Sequence, residues 1–267
     1  MSLPQPSQAK RDYDALAGTY DNYSLLPSGQ LESELIRLAL GNCKGLSVLD
    51  LGGGTGLHAR EAIDLGASSV DVVDVSEEML RIGEEIERQR AHESQAHSDK
   101  IRFFEADVSK PLLHLPLRED GYDVVMGNWI FSFADNIELL EAIFSNITSY
   151  LKPGGRFVGV RDADPWSPAL ESGKYGGSCK WVERIPRGVR YMCVLHCTPP
   201  IEFEGACLED IYSGSTEIYE KFHLVDVKTM PYEEASIVQE DPDFWQLFLE
   251  RPNLAVVQAF KKISWDD

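Results

Sequence analysis

Short apolar runs alternate with amphipathic stretches along most of the chain, a pattern typical of a parallel α/β sheet. Five runs rich in Val, Ile, Leu and Phe are predicted to be successive strands, at 46–52, 68–75, 101–108, 122–129 and 155–160. Helices are expected between these strands, at 57–65, from 77 to about 91, and at 137–151. Ser76 is expected to cap the second of these helices. A turn at 152–155 separates the last helix from the fifth strand.

The pattern changes before the first strand. The first 30 residues are polar and are expected to be rich in loops. Residues 31–40 have helical spacing and place four apolar side chains on one face, namely Leu31, Leu35, Leu38 and Ala39. We therefore expect residues 1–40 to form an N-terminal lid that includes at least one helix.

The pattern changes again after the fifth strand. Residues 162–213 contain five prolines and four cysteines among short strand-like pieces such as 189–196. We expect an inserted cap there rather than another βα unit, within a single domain spanning residues 1–267. Strands at 222–230 and 254–260, with a helix near 243–250, are predicted to end the sheet in a hairpin-like arrangement.

The turn after the first predicted strand is a glycine loop, Asp50-Leu51-Gly52-Gly53-Gly54-Thr55-Gly56. Such a loop lets the backbone approach a ligand closely and directs helix N-terminal N–H groups toward it. Residues 54–59 also fit the dinucleotide pattern G-x-G-x-x-A, and Asp74 at the end of the second strand suits the ribose of either ligand class. The loop alone predicts a nucleotide-like cofactor and leaves its kind open.

Three further features favour a cationic cofactor over a dinucleotide. Asp50 precedes the glycines, where a carboxylate would repel a pyrophosphate and attract an ammonium group. Asp107 and Val108 end the third strand and can bind an adenine. Asn128 and Trp129 end the fourth strand, at the edge where open α/β sheets place their sites. Taken singly, Asp50 could also cap a helix, Asp107 could simply end a strand, and Trp129 could belong to the core.

Charge and composition narrow the range of partners. The chain has 25 Lys+Arg against 44 Asp+Glu, a net charge of −19, which disfavours a nucleic-acid partner. The basic stretch 184–190 is interrupted by Pro186 and Gly188, so we expect a solvated loop or strand edge. With neither a membrane-spanning apolar run nor a signal-like N-terminus, we expect a cytoplasmic protein without a membrane partner. The oligomeric state stays open.

The five cysteines do not predict a disulfide framework, because their number is odd. Four of them lie between Cys179 and Cys207, with His196 beside Cys197. No C-x-x-C pair is present, so no metal site is predicted and we expect buried or free thiols.

Several segments together resemble the class I S-adenosylmethionine (SAM)-dependent methyltransferases. The matching segments, which occur in family order between about 46 and 160, are VLDLGGGTG, VVDVSEEML, FFEADV, YDVVMGNW and LKPGGRFVGV. The resemblance implies a Rossmann-like α/β sheet of seven strands whose last strand is antiparallel. Features of the C-terminal half, including Asp164-Pro165 and Lys174-Tyr175-Gly176, are similar to the toxoflavin N-methyltransferase-like group of small-molecule enzymes.

The resemblance also implies a set of cofactor-binding residues. The Y-D-x-x-A-x-x-Y-D stretch at 13–21 resembles a segment that folds over SAM, and its tyrosines, with Trp129, are candidates for an aromatic wall around the cation. The implied residues are Tyr13, Tyr20, Asp50, Gly52, Gly54, Asp74, Val75, Met79, Asp107, Val108, Asn128 and Trp129.

The predicted function is SAM-dependent methyl transfer to an N, O or S nucleophile of a small molecule. The protein would supply mainly proximity and orientation, and a base only if the acceptor needs one. Candidate bases are His196, His58 and Asp162, with His114 less favoured in its apolar run. Three alternatives stay open at this point: an NAD(P)-dependent oxidoreductase, a SAM-binding protein without catalysis, and aminopropyl transfer from decarboxylated SAM. The last is disfavoured because no paired acidic motif for a polyamine is present.

Overall fold

The computed structural model describes residues 6–94 and 100–263. Ten strands occur in these ranges: β1 (Ser47–Leu51), β2 (Ser69–Asp74), β3 (Ile101–Glu105), β4 (Tyr122–Met126), β5 (Leu151–Asp162), β6 (Gly177–Ile185), β7 (Gly188–Leu195), β8 (Ile201–Leu208), β9 (Leu224–Thr229) and β10 (Leu254–Lys261). The α-helices are α1 (Pro6–Leu16), α2 (Pro27–Leu40), α3 (Leu57–Asp64), α4 (Glu77–Ser94), α5 (Ile137–Tyr150), α6 (Pro168–Ser172), α7 (Glu209–Tyr212), α8 (Glu217–Lys221), α9 (Ser236–Glu240) and α10 (Pro242–Glu250).

Seven strands form one sheet in the order β3-β2-β1-β4-β5-β10-β9. The first five are parallel, and β10 runs antiparallel to both β5 and β9. This confirms the predicted Rossmann-like sheet of seven strands with an antiparallel last strand. Because β1 lies between β2 and β4, the carboxyl ends of four parallel strands meet at one edge, where open α/β sheets bind ligands.

Both faces of the sheet are covered. Leu31 and Leu35 of α2 pack on one face together with Trp245 and Phe248 of α10. Residues of α5 pack on the other face, together with parts of the region after β5. Leu38, expected on the buried face of its helix, is instead 38% exposed, because it lies at the margin of the packed stripe.

The N-terminal segment is more helical than expected. The prediction of a loop-rich stretch up to residue 30 is wrong: α1 is followed by a 3-10 helix at Tyr20–Leu25, and α2 already begins at Pro27. The pattern does not reveal α1, since it docks through polar contacts; Asp14, for example, accepts from Ser76 Oγ at 2.6 Å. Residues 1–5 of the predicted lid lie outside the described residues.

Strand ends differ from the prediction in ways that matter for the site. The third and fourth strands stop at Glu105 and Met126, so Asp107, Val108, Asn128 and Trp129 follow the sheet rather than belong to it. The turn predicted at 152–155 lies within β5, because the chain already pairs with β4 at Leu151. A register shift opposite this stretch and a left-handed Gly154 (φ 73°) accommodate it.

The region predicted as a cap contains a separate antiparallel sheet in the order β6-β7-β8. Ala206 of β8 forms an isolated bridge with Phe133, which follows β4, so the small sheet stands over the carboxyl edge of the large one. The basic stretch 184–190 comprises the end of β6, the turn Pro186-Arg187 and the start of β7. The expectation that it is solvated is wrong for Arg190, which is 8% exposed. No helix in the described ranges is both long and apolar enough to cross a bilayer.

Candidate functional site

A cavity of about 360 Å³ lies at the carboxyl edge of the large sheet. This volume falls within the range of roughly 300–1,000 Å³ that is typical of small-molecule sites. Of the cofactor-binding residues implied by the sequence, all but Asp50 line it: Tyr13, Tyr20, Gly52, Gly54, Asp74, Val75, Met79, Asp107, Val108, Asn128 and Trp129. Segments that follow β1, β2, β3 and β4 therefore converge on one volume.

The glycine loop forms the floor of this cavity. Gly52 has a left-handed φ of 70°, and a Cβ there would lie 2.5 Å from Ile130 Cγ2. A side chain at Gly52 would therefore clash as well as strain the backbone. The N–H of Gly54 donates to Asp74 Oδ2 at 2.9 Å, which ties the loop to the end of β2.

Asp50 lies beneath the loop and is 1% exposed. Neither of its carboxylate oxygens has a hydrogen-bond partner among the described residues. Burial raises the pKa of Asp50 to about 7, although the nearby charge of His58 opposes this shift. The alternative that Asp50 caps the following helix is wrong, since Gly56 occupies that position and no side chain caps it.

Asp74 both holds the glycine loop by hydrogen bonds and lines the cavity. One oxygen accepts from the Gly54 N–H and the other from the Ser76 N–H at 2.9 Å. Burial raises the pKa of Asp74, and these hydrogen bonds oppose the rise. Each carboxylate oxygen has a further lone pair, so Asp74 can still accept from ligand hydroxyls.

Asp107 and Val108 lie on the side of the cavity that faces the end of β3. Asp107 Oδ1 accepts from Ser109 N at 2.9 Å and from Ser109 Oγ at 2.6 Å. The carbonyl of Val108 accepts from Asn146 Nδ2 of α5 at 2.7 Å. These contacts fix a turn next to the cavity.

Asn128 and Trp129 form the wall after β4. Both side-chain polar atoms of Asn128 are buried and lack a hydrogen-bond partner among the described residues. Trp129 has a left-handed φ of 62°, which costs a bulky residue about 1–3 kcal/mol. Its Nε1 donates to Glu32 Oε2 at 2.8 Å. Trp129 packs against the core and also lines the cavity. The alternative that it belongs to the core is therefore correct only in part.

Aromatic rings of the N-terminal segment close the cavity. The ring of Tyr13 packs edge-on against Tyr20 and against Phe133, with centroids 5.5 and 5.8 Å apart. Asp21 of the same segment accepts from Thr55 Oγ1 in the glycine loop at 2.7 Å. The segment is therefore bound to the loop that it covers.

A second cavity of about 90 Å³ lies between the first cavity and the small sheet. It shares Tyr13, Tyr20, Trp129 and Phe133 with the first. Its remaining wall includes Asp162 at the end of β5, Cys179 of β6, and Tyr191 and Cys193 of β7. The cap region thus contributes the far side of a compartment that adjoins the larger cavity.

The candidate bases differ in position. His58 lies outside both cavities, between Glu61 Oε2 at 2.8 Å and Glu32 Oε1 at 3.5 Å. Burial acts to lower the pKa of His58, but the hydrogen bonds to both carboxylates outweigh it and raise the pKa to about 10. His58 is therefore a buried cation outside both cavities, where its role as a base stays a prediction.

The two remaining candidate histidines, His196 and His114, do not line either cavity. His196 is exposed and interacts with Ser178 Oγ at 2.7 Å outside them, and His114 is exposed. Asp162 is the one sequence-predicted base that lies in a cavity wall.

All five cysteines are free thiols, and the described residues contain no cluster of three or more His, Cys, Asp or Glu side chains arranged for a metal.

Sequence reasoning missed Glu32, which links Trp129, His58 and Tyr23 while being 2% exposed. A signal was present, since Glu32 shares the apolar face of its helix with Leu35, Ile36 and Ala39 at helical spacing. A charged residue on a buried face needs a partner, which points to a polar network.

Comparison with known proteins agrees with this geometry. Residues 48–155 match the family described as methyltransferase domain. The ubiquinone/menaquinone biosynthesis C-methyltransferase UbiE of Acidiphilium cryptum is 36% identical over 111 residues, which are 42% of this chain and 40% of that protein. The chain spans between 5% and 49% of the length of the curated relatives that it matches.

Solved structures of low identity share the fold. A SAM-dependent methyltransferase from Mesorhizobium loti has a TM-score of 0.55 at 18% identity, over 87% of this chain and 99% of that one. The 1,6-didemethyltoxoflavin-N1-methyltransferase of Burkholderia thailandensis has a TM-score of 0.54 at 15% identity, over 98% of this chain and 92% of that one. Residues 48–155 thus match a methyltransferase-domain family, and the chain shares the fold of these methyltransferase structures.

Proposed function

We propose that this protein binds SAM in the larger cavity and transfers its methyl group to a small molecule held in the adjoining cavity. The observation that carries the proposal is the unpartnered, buried amide of Asn128 in the wall of a cavity that the Asp74 carboxylate also lines. Buried polar groups without partners are costly, so their presence in a cavity wall favours a polar ligand there.

The residues present fit SAM. Asp74 has free lone pairs for the ribose hydroxyls, and Met79 and Val108 offer apolar surface for the adenine. The Asn128 amide can both donate to a carboxylate and accept from an ammonium group. Asp50, buried beneath the loop, supplies negative charge near that end. The rings of Tyr13, Tyr20 and Trp129 suit a cation, each worth about 0.5–2 kcal/mol.

When bound, SAM supplies a methyl group on a sulfonium, which is already a good leaving group. The chain itself needs to orient the acceptor and exclude water. The two cavities share Tyr13, Tyr20, Trp129 and Phe133, so their contents meet at this aromatic wall. Orientation of this kind can contribute about 7–11 kcal/mol to catalysis.

The acceptor is proposed to be a small molecule because the second cavity is narrow and enclosed by the cap. The net charge of −19 supports the same conclusion, since it disfavours polyanionic partners. Among the residues suggested as bases, Asp162 alone faces the proposed acceptor compartment. Whether the acceptor nucleophile is N, O or S is determined by the product assay described below.

Calorimetric titration with SAM and with NADH tests the cofactor assignment. We expect SAM to bind and NADH not to, and Asp74→Ala to weaken SAM binding by at least roughly tenfold, about 1.4 kcal/mol. Glu141→Ala is the matched control, because Glu141 lies on α5 and pairs with Lys221 outside both cavities. Binding of NADH in place of SAM, or equal SAM affinities of the two variants, would contradict the proposal.

Release of S-adenosylhomocysteine tests catalysis separately. The protein is incubated with SAM and a panel of small amines, phenols, carboxylates and thiols, and the product is quantified. We expect turnover with at least one class of acceptor, and no turnover when no acceptor is added. SAM binding without turnover across the panel would favour a binding protein without catalysis.

A further inference from the structure

Asp162 is a buried carboxylate in the wall of the second cavity. It ends β5 and is 8% exposed. Its Oδ2 accepts from Ser132 Oγ at 2.9 Å and from Tyr191 OH at 3.3 Å. Ser132 follows β4 and Tyr191 belongs to the cap, so the large sheet and the cap hold the carboxylate from two sides.

No Lys, Arg or His of the described ranges forms an ion pair with Asp162. The adjacent Arg161 is directed elsewhere: its Nη1 donates to the backbone carbonyls of Asp162 and Ile211. Burial raises the pKa of Asp162, while the hydrogen bonds from Ser132, Tyr191 and Cys207 oppose the rise and favour the ionised form. A buried carboxylate without a cation favours a ligand that donates to it or carries positive charge.

Apart from Asp162, the lining of this cavity is largely apolar, and its other buried carboxylate, Glu32, is already engaged by Trp129, His58 and Tyr23. Pro165, Leu170, Leu195 and Phe203 line the cavity together with the shared aromatic wall. A water molecule needs roughly 10–15 Å³, so a cavity of about 90 Å³ has room for about six to nine non-hydrogen atoms. This is the size of one substituted ring.

We propose that Asp162 selects the acceptor: a ring-sized, largely apolar molecule that presents an N–H or O–H donor, either neutral or cationic, and not a carboxylate or phosphate. The inference rests on the proposed function, since it assigns the acceptor to the second cavity. An anionic head group placed against Asp162 meets like charge in an apolar surrounding. A head group without a donor adds no hydrogen bond to those from Ser132 and Tyr191 and displaces water from the carboxylate.

Four probes that share one ring separate these cases: benzylamine, benzyl alcohol, benzoate and ethylbenzene. Their affinities for the full chain saturated with S-adenosylhomocysteine are measured by ligand-observed NMR titration. We expect benzylamine and benzyl alcohol to bind at least roughly tenfold more tightly than benzoate and ethylbenzene. Benzoate affinity equal to that of benzylamine would overturn the inference.

Asp162→Asn tests the residue itself. We expect it to lower benzylamine affinity by at least roughly tenfold and to abolish the discrimination against benzoate. Asp226→Asn is the matched control, because Asp226 is exposed on β9 and its left-handed φ of 53° suits asparagine. Unchanged benzylamine affinity in Asp162→Asn, with S-adenosylhomocysteine still bound, would overturn the proposal.

Tyr191→Phe provides a second test that does not depend on the folding of Asp162→Asn. Loss of one donor makes the Asp162 carboxylate easier to protonate. As the pH is lowered, Tyr191→Phe should therefore lose benzylamine binding at a higher pH than the wild type does. A pH profile that is the same in both proteins would contradict the inference. Failure of SAM to bind would defeat the proposed function, whereas SAM binding without head-group discrimination defeats this inference alone.

Discussion

Gly53 lies directly above the carboxylate of Asp50: a Cβ at position 53 would come 2.6 Å from Asp50 Oδ2. The same Cβ would lie 2.9 Å from Val72 Cγ1, so neither side offers space. We expect Gly53→Ala to displace the glycine loop and weaken SAM binding by roughly tenfold or more. Calorimetric titration with SAM measures the effect.

Gly18→Ala is the control for this substitution. Gly18 lies in the N-terminal segment, has no left-handed φ, and a Cβ there would meet no atom within 4 Å. Its SAM affinity should stay within about twofold of the wild type. A loss in Gly18→Ala equal to that in Gly53→Ala would mean that the contact with Asp50 is not the cause.

The affinity for SAM should rise with pH around neutrality. The pKa of Asp50 is about 7 in the folded chain, well above its ordinary value of 3.8. Since an ammonium group favours the ionised carboxylate, affinity grows as pH passes upward through 7 and falls by up to about tenfold per pH unit below it. His58 keeps its charge over this range, because its pKa is about 10.

Titrations with SAM at several pH values between 6 and 7.5 measure this dependence. Asp50→Asn should bind SAM weakly and show a flat profile over the same range. A wild-type profile that is flat, or an Asp50→Asn profile as steep as that of the wild type, would exclude Asp50 as the titrating group.

His58 should stabilise the fold in a pH-dependent way. Its folded pKa of about 10 lies above the ordinary value of 6.5, so its contribution is complete below pH 6.5 and is lost as pH rises through 10. His58→Gln leaves Glu32 and Glu61 buried without their cation, a loss of about 3–5 kcal/mol at neutral pH.

Urea unfolding of both proteins at pH 6, 8 and 10 gives the difference in the free energy of unfolding. This difference should be largest at pH 6 and smallest at pH 10. His92→Gln, at an exposed position on α4, serves as the control and should match the wild type. A His58→Gln deficit that grows with pH would contradict the assignment of a buried cation.

Cys179 should be the most reactive thiol. It faces Cys193 across the β6–β7 pair, and the hydrogen bond from Cys193 lowers the pKa of Cys179, against the effect of burial. The same contact raises the pKa of Cys193, and burial raises those of Cys43 and Cys207. Because the thiolate is the reactive form, iodoacetamide near pH 7.5 should label Cys179 first.

Peptide mass spectrometry over a time course identifies the order of labelling. Cys193→Ser should slow the alkylation of Cys179, whereas Cys43→Ser, in the core on the opposite face of the sheet, should not. Labelling of Cys207 as fast as Cys179 would show that burial and the shared hydrogen bond do not control reactivity here.

The sequence predicted the large sheet well because buried parallel strands are continuous apolar runs with recognisable turns between them. The residues that follow these strands were identified for the same reason, and Asp74, Asp107 and Asn128 lie in one cavity. For Asn128 the structure adds a feature that the sequence did not predict, a buried side-chain amide without a hydrogen-bond partner among the described residues.

Other features depend on contacts between distant segments and leave no local pattern. Helix α1 is held by polar contacts to residues more than 60 positions away, such as Asp14 with Ser76. The protonation of His58 depends on Glu32, which belongs to another helix. Asp162 could be named as a candidate, but its partners Ser132 and Tyr191 could not, because they come from different elements.

The shared aromatic wall has a consequence for both cavities. Tyr13 and Tyr20 belong to a single N-terminal segment and border both cavities. That segment is fastened by Asp14 to Ser76 and by Asp21 to Thr55. Any displacement of this segment therefore changes the walls of both compartments at once. Under the proposed function, such a displacement would act on the cofactor and on the acceptor together.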